Sequence, residues 1–398
     1  MIPILKSYSS YHIAVFLSSL SMVFGILREF LIVSLLGLTL TNDTLQIYLS
    51  IFYTVGLTID AMRLSCLNLF SILPLSRILL SASIISLPFS IGIGMIMSIS
   101  VGGLDSHILI ITMIGSYLNL MAALLITYKQ RHNVFLAAQI INVLPNFILI
   151  PGVMLCYWIS NKQAVFGIVI LTSMIPLFQC ILLLLLPNHA IEKKEEKQMS
   201  LLASLLVFVR HFSASLGEQL FQIIIRAAFF NYQAGYLSLF AIAIRIYTGL
   251  RFILIDSYIG SKLAHWEKEL QQDDDYLIKM INSTILSSIF VFISLYISLL
   301  ATNDLMHLAI QVIILLIFGF YFSTLVRIIY FKINRHKSHT ALIIRFASYE
   351  FIFAGIAFIL TKQLNDSLLS IMWIGYVAKP FTQLLFLRKH FLFAREYG

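Results

Sequence analysis

Long apolar runs recur along this chain with only short polar joints between them, and that recurrence limits the fold more than any single motif. A helix crossing the hydrocarbon core of a bilayer needs roughly 20 apolar residues. Twelve such stretches can be counted, near 12–38, 44–73, 78–101, 105–128, 134–158, 164–186, 201–229, 236–263, 277–301, 305–330, 341–361 and 366–391. Lipid cannot satisfy backbone N–H and C=O groups, and these runs are too long and too unalternating for barrel strands, so helices are expected. With 60% of the 398 residues hydrophobic and 11% charged, the chain holds more apolar surface than one water-soluble core can hide. The expectation is an all-α polytopic membrane protein of about twelve transmembrane helices. Its first stretch is too long for a secretory signal and lacks a small-residue cleavage pattern, so it reads as an uncleaved span.

Charge in the joints sets the orientation. With the N-terminus cytoplasmic, the inner segments carry Lys6, Arg77, Lys129, Arg131, Lys193, Lys194, Lys197, Lys262, Lys268, Lys279, Lys332, Arg335, Lys337, Arg388, Lys389 and Arg395, against Lys162 and Lys362 outside. This bias stays in phase through every alternate joint, which places both termini in the cytoplasm of a bacterial inner membrane. Topology thereby accounts for the net charge of +9, and no nucleic-acid partner is implied.

Every outer joint is short, leaving no room for the extracytoplasmic catalytic domains of membrane glycosyltransferases and polymerases. No phosphate loop, HExxH or nucleophile elbow is present, so an enzyme is not expected. Cys66, Cys156 and Cys180 all fall inside spans in no metal-ligand spacing and read as core residues. No cofactor or metal is expected. The polar segment from Pro187 to Ser200 divides the chain into an N-terminal part, 1–186, and a C-terminal part, 201–398, of six spans each. A faint repeat crosses it: Arg131 and Arg335 stand 204 residues apart in two basic joints, and Asn146 stands at that offset from Glu350. Two related six-helix lobes are what a transporter built from repeats would contain.

The spans themselves carry Arg28, Arg63, Arg210, Arg226, Arg245, Arg251, Arg327, Arg345 and Lys379, with Glu29, Asp60, Glu218, Asp256 and Glu350. Arg226, Arg327 and Arg345 fall near predicted helix ends, where snorkelling to the interface is expected. The others would cost roughly 2.5 to 3.5 kcal/mol each if they faced lipid, so they must face one another or a hydrated interior. Asp60 and Arg63 are spaced to pair on one helix face. Arg245 and Asp256 share a face but lie too far apart to pair, which suggests a cavity stripe. His211, Ser215, Glu218 and Gln222 form a polar line down span seven, either a cavity wall or a helix–helix seam. Gln139, Asn142 and Asn146 form a shorter line in span five, beside Pro145 and Pro151, which should kink it. Because cations exceed acids within the spans, an anionic cargo such as a phosphate or pyrophosphate is expected, held by the forked donors of arginine.

The segments Ser21 to Glu29 with Gly37 and Asp43, Leu125 to Ile150, and Ala234 to Ala264 resemble the MurJ/MviN lipid II flippases of the MOP (multidrug/oligosaccharidyl-lipid/polysaccharide) exporter superfamily. The resemblance implies two lobes rocking around a central cationic cavity that binds a lipid-linked pyrophosphate saccharide. It also implies coupling to the membrane potential or a monovalent cation. By position it assigns Arg28, Asp43 and Arg245 to transport, and Arg63, Arg251, Asp256, His211, Glu218 and Gln222 join them as candidate cavity residues. Implied partners are an undecaprenyl-pyrophosphate-linked saccharide, membrane lipids and the enzymes that assemble polysaccharide or peptidoglycan. The pattern departs at Met22 and Gly56, where the family carries arginines, and in having twelve spans where the family usually has fourteen. Lipid II and a polysaccharide repeat unit are both compatible cargoes. Two rivals remain: a MATE-like cation-coupled drug exporter, expected to have an acidic cleft, and a non-transporting scaffold, expected to have its lobes packed shut with each arginine paired to an acid.

Overall fold

Apolar runs of this length become helices wherever the computed structural model describes them, namely over residues 2–56, 74–131, 134–160, 163–187, 200–251, 340–363 and 368–386, with isolated positions between 311 and 326. They are α1 (Ile2–Leu36), α2 (Leu40–Gly56), α3 (Leu75–Val101), α4 (Ser106–Arg131), α5 (Phe135–Ile159), α6 (Ala164–Leu185), α7 (Leu201–Tyr232), α8 (Tyr236–Arg251) and α9 (Thr340–Gln363). A last helix, α10, begins at Leu368–Trp373, passes through a π-helical turn at Ile374–Ala378 and resumes as α-helix to residue 386. Predicted span nine and the segment 188–199 lie outside the described residues.

Helix ends follow local chemistry. Gly37, at φ 70°, ends α1, and the next turn closes when Asn42 Nδ2 donates to the Gly37 carbonyl at 2.8 Å. Gly102 and Gly103, both at positive φ, end α3. Asp105 Oδ1 then caps α4 by accepting from the backbone N–H groups of His107 at 2.8 Å and Ile108 at 3.2 Å. Ser200 caps α7 through Ala203 N–H. Lys129 donates to the Leu186 carbonyl, a cation on the C-terminus of α6. The backbone of α1 starts ten residues before the predicted apolar run, because hydropathy marks only where a helix is apolar, not where it begins. One continuous helix, α5, contains both Pro145 and Pro151.

Five described helices are long and apolar enough to cross a membrane. Their outer faces expose large apolar side chains such as Trp158, Ile99 and Leu185, as lipid contact demands. Where helices meet, small residues allow close approach. A Cβ on Gly217 would collide with the Glu350 Cβ, so only glycine lets α7 press this closely on α9.

Packing between helices has an internal symmetry. In the first part of the chain α1 packs on α5, and in the second α7 packs on α9; across the two parts, α1 meets α8 while α7 meets α2. Exchanging α1 with α7 and α2 with α8 reproduces the cross-contacts, as two repeats related by a pseudo-twofold would.

The two parts touch near both ends of the bundle. At the face where α1, α3 and α7 start, Ser81 and Ser204 are hydrogen-bonded at 2.7 Å. At the opposite face, Asp43 binds Gly235 and Ser238. The two parts of the chain are therefore in contact at both places in this conformation. The reason is physical: each contact joins groups that would otherwise be buried unsatisfied.

Candidate functional site

Three buried polar regions interrupt the apolar packing. The first lies between α1, α2, α5 and α8. Arg28 and Glu29 are both buried and ion-paired, and Gln46 Nε2 donates to the other Glu29 oxygen at 3.1 Å. Arg245 reaches in from α8 and adds to the field at Glu29. Its guanidinium donates to Asn146 Oδ1 at 2.7 Å, and Asn146 Nδ2 in turn donates to Ser21 at 2.7 Å. Gly25 makes this possible, since a Cβ there would lie 2.7 Å from two guanidinium nitrogens of Arg245. Among the described residues, this centre brings the permanent cations of Arg28 and Arg245 to the carboxylate of Glu29. Arg28 lies about 12 Å from the end of α1, well inside the membrane-spanning length.

The second centre lies between α7, α9 and α10. Lys379 Nζ donates to Glu350 at 2.7 Å, and Gln383 Nε2 donates to its other oxygen at 2.6 Å. Half-buried Glu218 acts electrostatically on both members of the pair. The Lys379 ammonium also sits 5.6 Å from the Phe221 ring centroid. Gln222 and Tyr376 exchange hydrogen bonds at 2.8 and 3.2 Å. Tyr376 and Lys379 are placed by the π-helical turn, which inserts an extra residue into α10 and re-aims the side chains beyond it. Among the described residues, the carboxylates of Glu350 and Glu218 here lie around Lys379.

A third region joins the two parts of the chain along α2. Asp43, Gln46, Ser50 and Thr54, spaced by three or four residues, are all buried on one face of α2. Asp43 caps α8 from outside its own helix: its carboxylate accepts from Gly235 N at 2.6 Å, Ser238 N at 2.9 Å and Ser238 Oγ at 2.6 Å. Arg226 of α7 donates to the Ser50 carbonyl at 3.1 Å.

The candidate residues thus divide. Arg28 and Arg245 come together; Asp43 holds the contact between α2 and α8; Glu218 and Gln222 belong to the second centre. Arg63 and Asp256 lie outside the described residues, as do the side chains of His211 and Arg251. Arg226 corrects the snorkelling expectation: α7 continues to Tyr232, so this arginine sits a turn and a half inside the helix, 4% exposed, on a carbonyl of the other part. Sequence reasoning left Glu29, Gln46, Asn146, Gln219, Arg226, Glu350 and Lys379 out of the candidate site. The 204-residue offset pairing Asn146 with Glu350 was the available signal, because each organises one charged centre. Among the described residues no cluster of His, Cys, Asp or Glu is placed to hold a metal ion.

Helices paired in this way, five of those described being long and apolar enough to cross a membrane, give the chain the fold of several solved multi-pass membrane proteins. The lipid II flippase MurJ in an inward closed conformation is similar at a TM-score of 0.65 and 17% identity, over 97% of this chain and 87% of that one. A MATE protein in complex with MaL6 is similar at 0.57 and 13% identity, over 96% of this chain and 97% of that one. The eukaryotic MATE transporter AtDTX14 is similar at 0.53 and 15% identity, over 98% and 96%. At these identities the likeness establishes the fold. No family model and no curated protein sequence matches the chain.

Proposed function

We propose that this chain is a flippase that moves an undecaprenyl-pyrophosphate-linked saccharide from the inner to the outer leaflet of the bacterial inner membrane by alternating access. One observation carries the reading: Arg28 and Arg245 are brought together at Glu29, deep between α1, α5 and α8. Permanent cations gathered inside a bilayer favour an anionic ligand, for which the guanidinium fork supplies paired donors. Arg245 is held by the neutral amide of Asn146, which it can release for a phosphate oxygen at less cost than a carboxylate. Contacts near both faces then have to open in turn, Ser81–Ser204 toward one leaflet and Asp43–Ser238 toward the other. Loop charge makes the face where α1 starts cytoplasmic, with 1–186 and 201–398 as the moving lobes, 187–200 as their linker, and the membrane potential or a monovalent cation as the driving force.

The test is reconstituted translocation of a fluorescent polyprenyl-pyrophosphate saccharide. Arg28→Ala and Arg245→Ala should each abolish translocation in protein that still folds and inserts. Lysine at either position should restore only part of it, since an ammonium lacks the planar fork. Wild-type rates in both alanine variants would end the proposal.

The contacts near both faces favour a second reading, a packed scaffold that transports nothing. Against it, Arg245 holds an amide and Arg226 a backbone carbonyl, neutral partners that a charged cargo can replace. Glu350 and Glu218, gathered in the second centre, favour the MATE-like alternative, for which organic cations, not anionic lipids, would be the cargo.

A further inference from the structure

Three exchanges set the second centre apart from the matching place in the first part of the chain. At the 204-residue offset that pairs Asn146 with Glu350, Pro176 matches Pro380 and Gln179 matches Gln383, and α6 packs on α5 as α10 packs on α9. The two helices are counterparts through this stretch. Within it, Lys379 stands where α6 has Ile175, and Gly375 stands where α6 has Leu171. The first part of the chain thus has an amide and two apolar side chains where the second has a carboxylate, an ammonium and a glycine. The glycine serves the other two. A Cβ on Gly375 would fall within the Phe221 ring, so only glycine lets that ring lie against α10, where its face meets the Lys379 ammonium at 5.6 Å from the centroid.

Acid, ring and amine form one cage. Glu350 accepts from the ammonium on one oxygen at 2.7 Å and from the Gln383 amide on the other at 2.6 Å, and the Glu218 carboxylate acts on the ammonium from α7. Carboxylate oxygens and an aromatic face are what a small cation needs when it leaves water. Lys379 and Glu350 are both buried, and either one without the other would be a costly charge in a low-dielectric interior.

We propose that Lys379 is a tethered monovalent cation: its ammonium permanently fills the cation place formed by Glu350, Glu218 and Phe221, so that the cycle draws on the membrane potential and not on a soluble cation. The inference rests on the flippase reading and chooses between the two driving forces named there. A coupling ion delivers the energy of its gradient by entering from one side of the membrane and leaving on the other. An ammonium on a four-carbon stem cannot leave. An anionic cargo moving outward, by contrast, is itself driven by a potential that is negative inside.

The full chain is tested in three ways. Lys379→Ala empties the cage while Glu350 stays. When methylammonium chloride replaces N-methylglucamine chloride at constant ionic strength, the variant's melting temperature in detergent should rise by about 2 °C or more, as a ligand refills a native-state site, while that of the wild type stays level. A variant no more responsive than the wild type would mean that Glu350 takes up a proton instead, and would overturn the proposal. Should Lys379→Ala insert poorly, Lys379→Ile combined with Glu350→Asn copies the pair Ile175 and Asn146 of the first part. The double variant should recover most of the stability that Lys379→Ile loses alone; losses that simply add would show that acid and amine are not a matched pair, which also overturns it. In proteoliposomes, the wild type should move a fluorescent polyprenyl-pyrophosphate saccharide at an unchanged rate when N-methylglucamine replaces sodium and potassium on both sides. A fall of about tenfold or more, the usual scale of coupling between sites, would restore a soluble cation as the driver. Protein that moves the lipid in no salt overturns the flippase reading alone and leaves both stability results standing.

Discussion

Asn146 in α5 and Glu350 in α9 occupy matching places 204 residues apart, and each is the hub of a buried centre. Gln179 and Gln383, one helix further on, stand at the same offset and both donate to the hub helix, Gln179 to the Ile141 carbonyl and Gln383 to Glu350. Yet the charges they gather differ. Among the described residues, Arg28 and Arg245 meet at Glu29 beside Asn146, while Lys379 meets Glu350 with Glu218 nearby. A repeated scaffold has kept its packing and divided its electrostatics. Charges buried in a low-dielectric interior are costly unless they are matched, and that is what makes both centres candidates for work beyond holding the fold.

Removing the central cation should separate them most sharply. Lys379→Met strands Glu350 and Glu218 together, and an unpaired buried charge costs roughly 3 to 5 kcal/mol. Thermal unfolding in detergent should register a large loss, while Arg28→Met, which leaves Arg245 acting on Glu29, should lose distinctly less. Equal losses would erase the distinction.

Adding a carboxylate to the first centre is the next test. Asn146→Asp places it where the amide oxygen already accepts from Arg245. Stability should rise by about 1 to 2 kcal/mol, as a charge-assisted hydrogen bond replaces a neutral one. Translocation of an anionic lipid should fall at the same time, since the new carboxylate competes with the cargo for Arg245. A variant that is more stable and equally active would show that Arg245 serves no cargo.

The smallest effect is expected where charge is untouched. Tyr376→Phe breaks the exchange with Gln222 beside the second centre and leaves Lys379 and Glu350 in place. A loss of about 1 kcal/mol, read by the same unfolding assay, is the net value of such a bond. A loss approaching that of Lys379→Met would mean that the hydrogen-bond chain and the ion pair form one cooperative unit.

Much of this architecture is legible in the sequence because each span announces itself locally. The run 75–101 must be a helix in lipid whatever surrounds it, and α3 begins within three residues of the predicted start. Arg28 and Arg245 are legible by depth and by resemblance. Gln219 is not, because a glutamine beside Glu218 carries no sequence mark; only the rotation of α7 against α2 makes it a buried orphan while its neighbour turns toward Lys379. Arg226 escapes the sequence reading because the length of α7 past the apolar run cannot be judged from hydropathy.

By itself, then, the sequence determined that the chain is helical, that it crosses the membrane many times and that its interior must accommodate charge, since these follow from transfer costs that each residue bears alone. Which charge meets which partner was decided only in the tertiary structure. Successive residues of a helix point about 100° apart, so a small change in the rotation or depth of one helix against another exchanges a carboxylate for an amide. The sign of each centre depends on that geometry, and the geometry is set by packing between helices far apart in the chain.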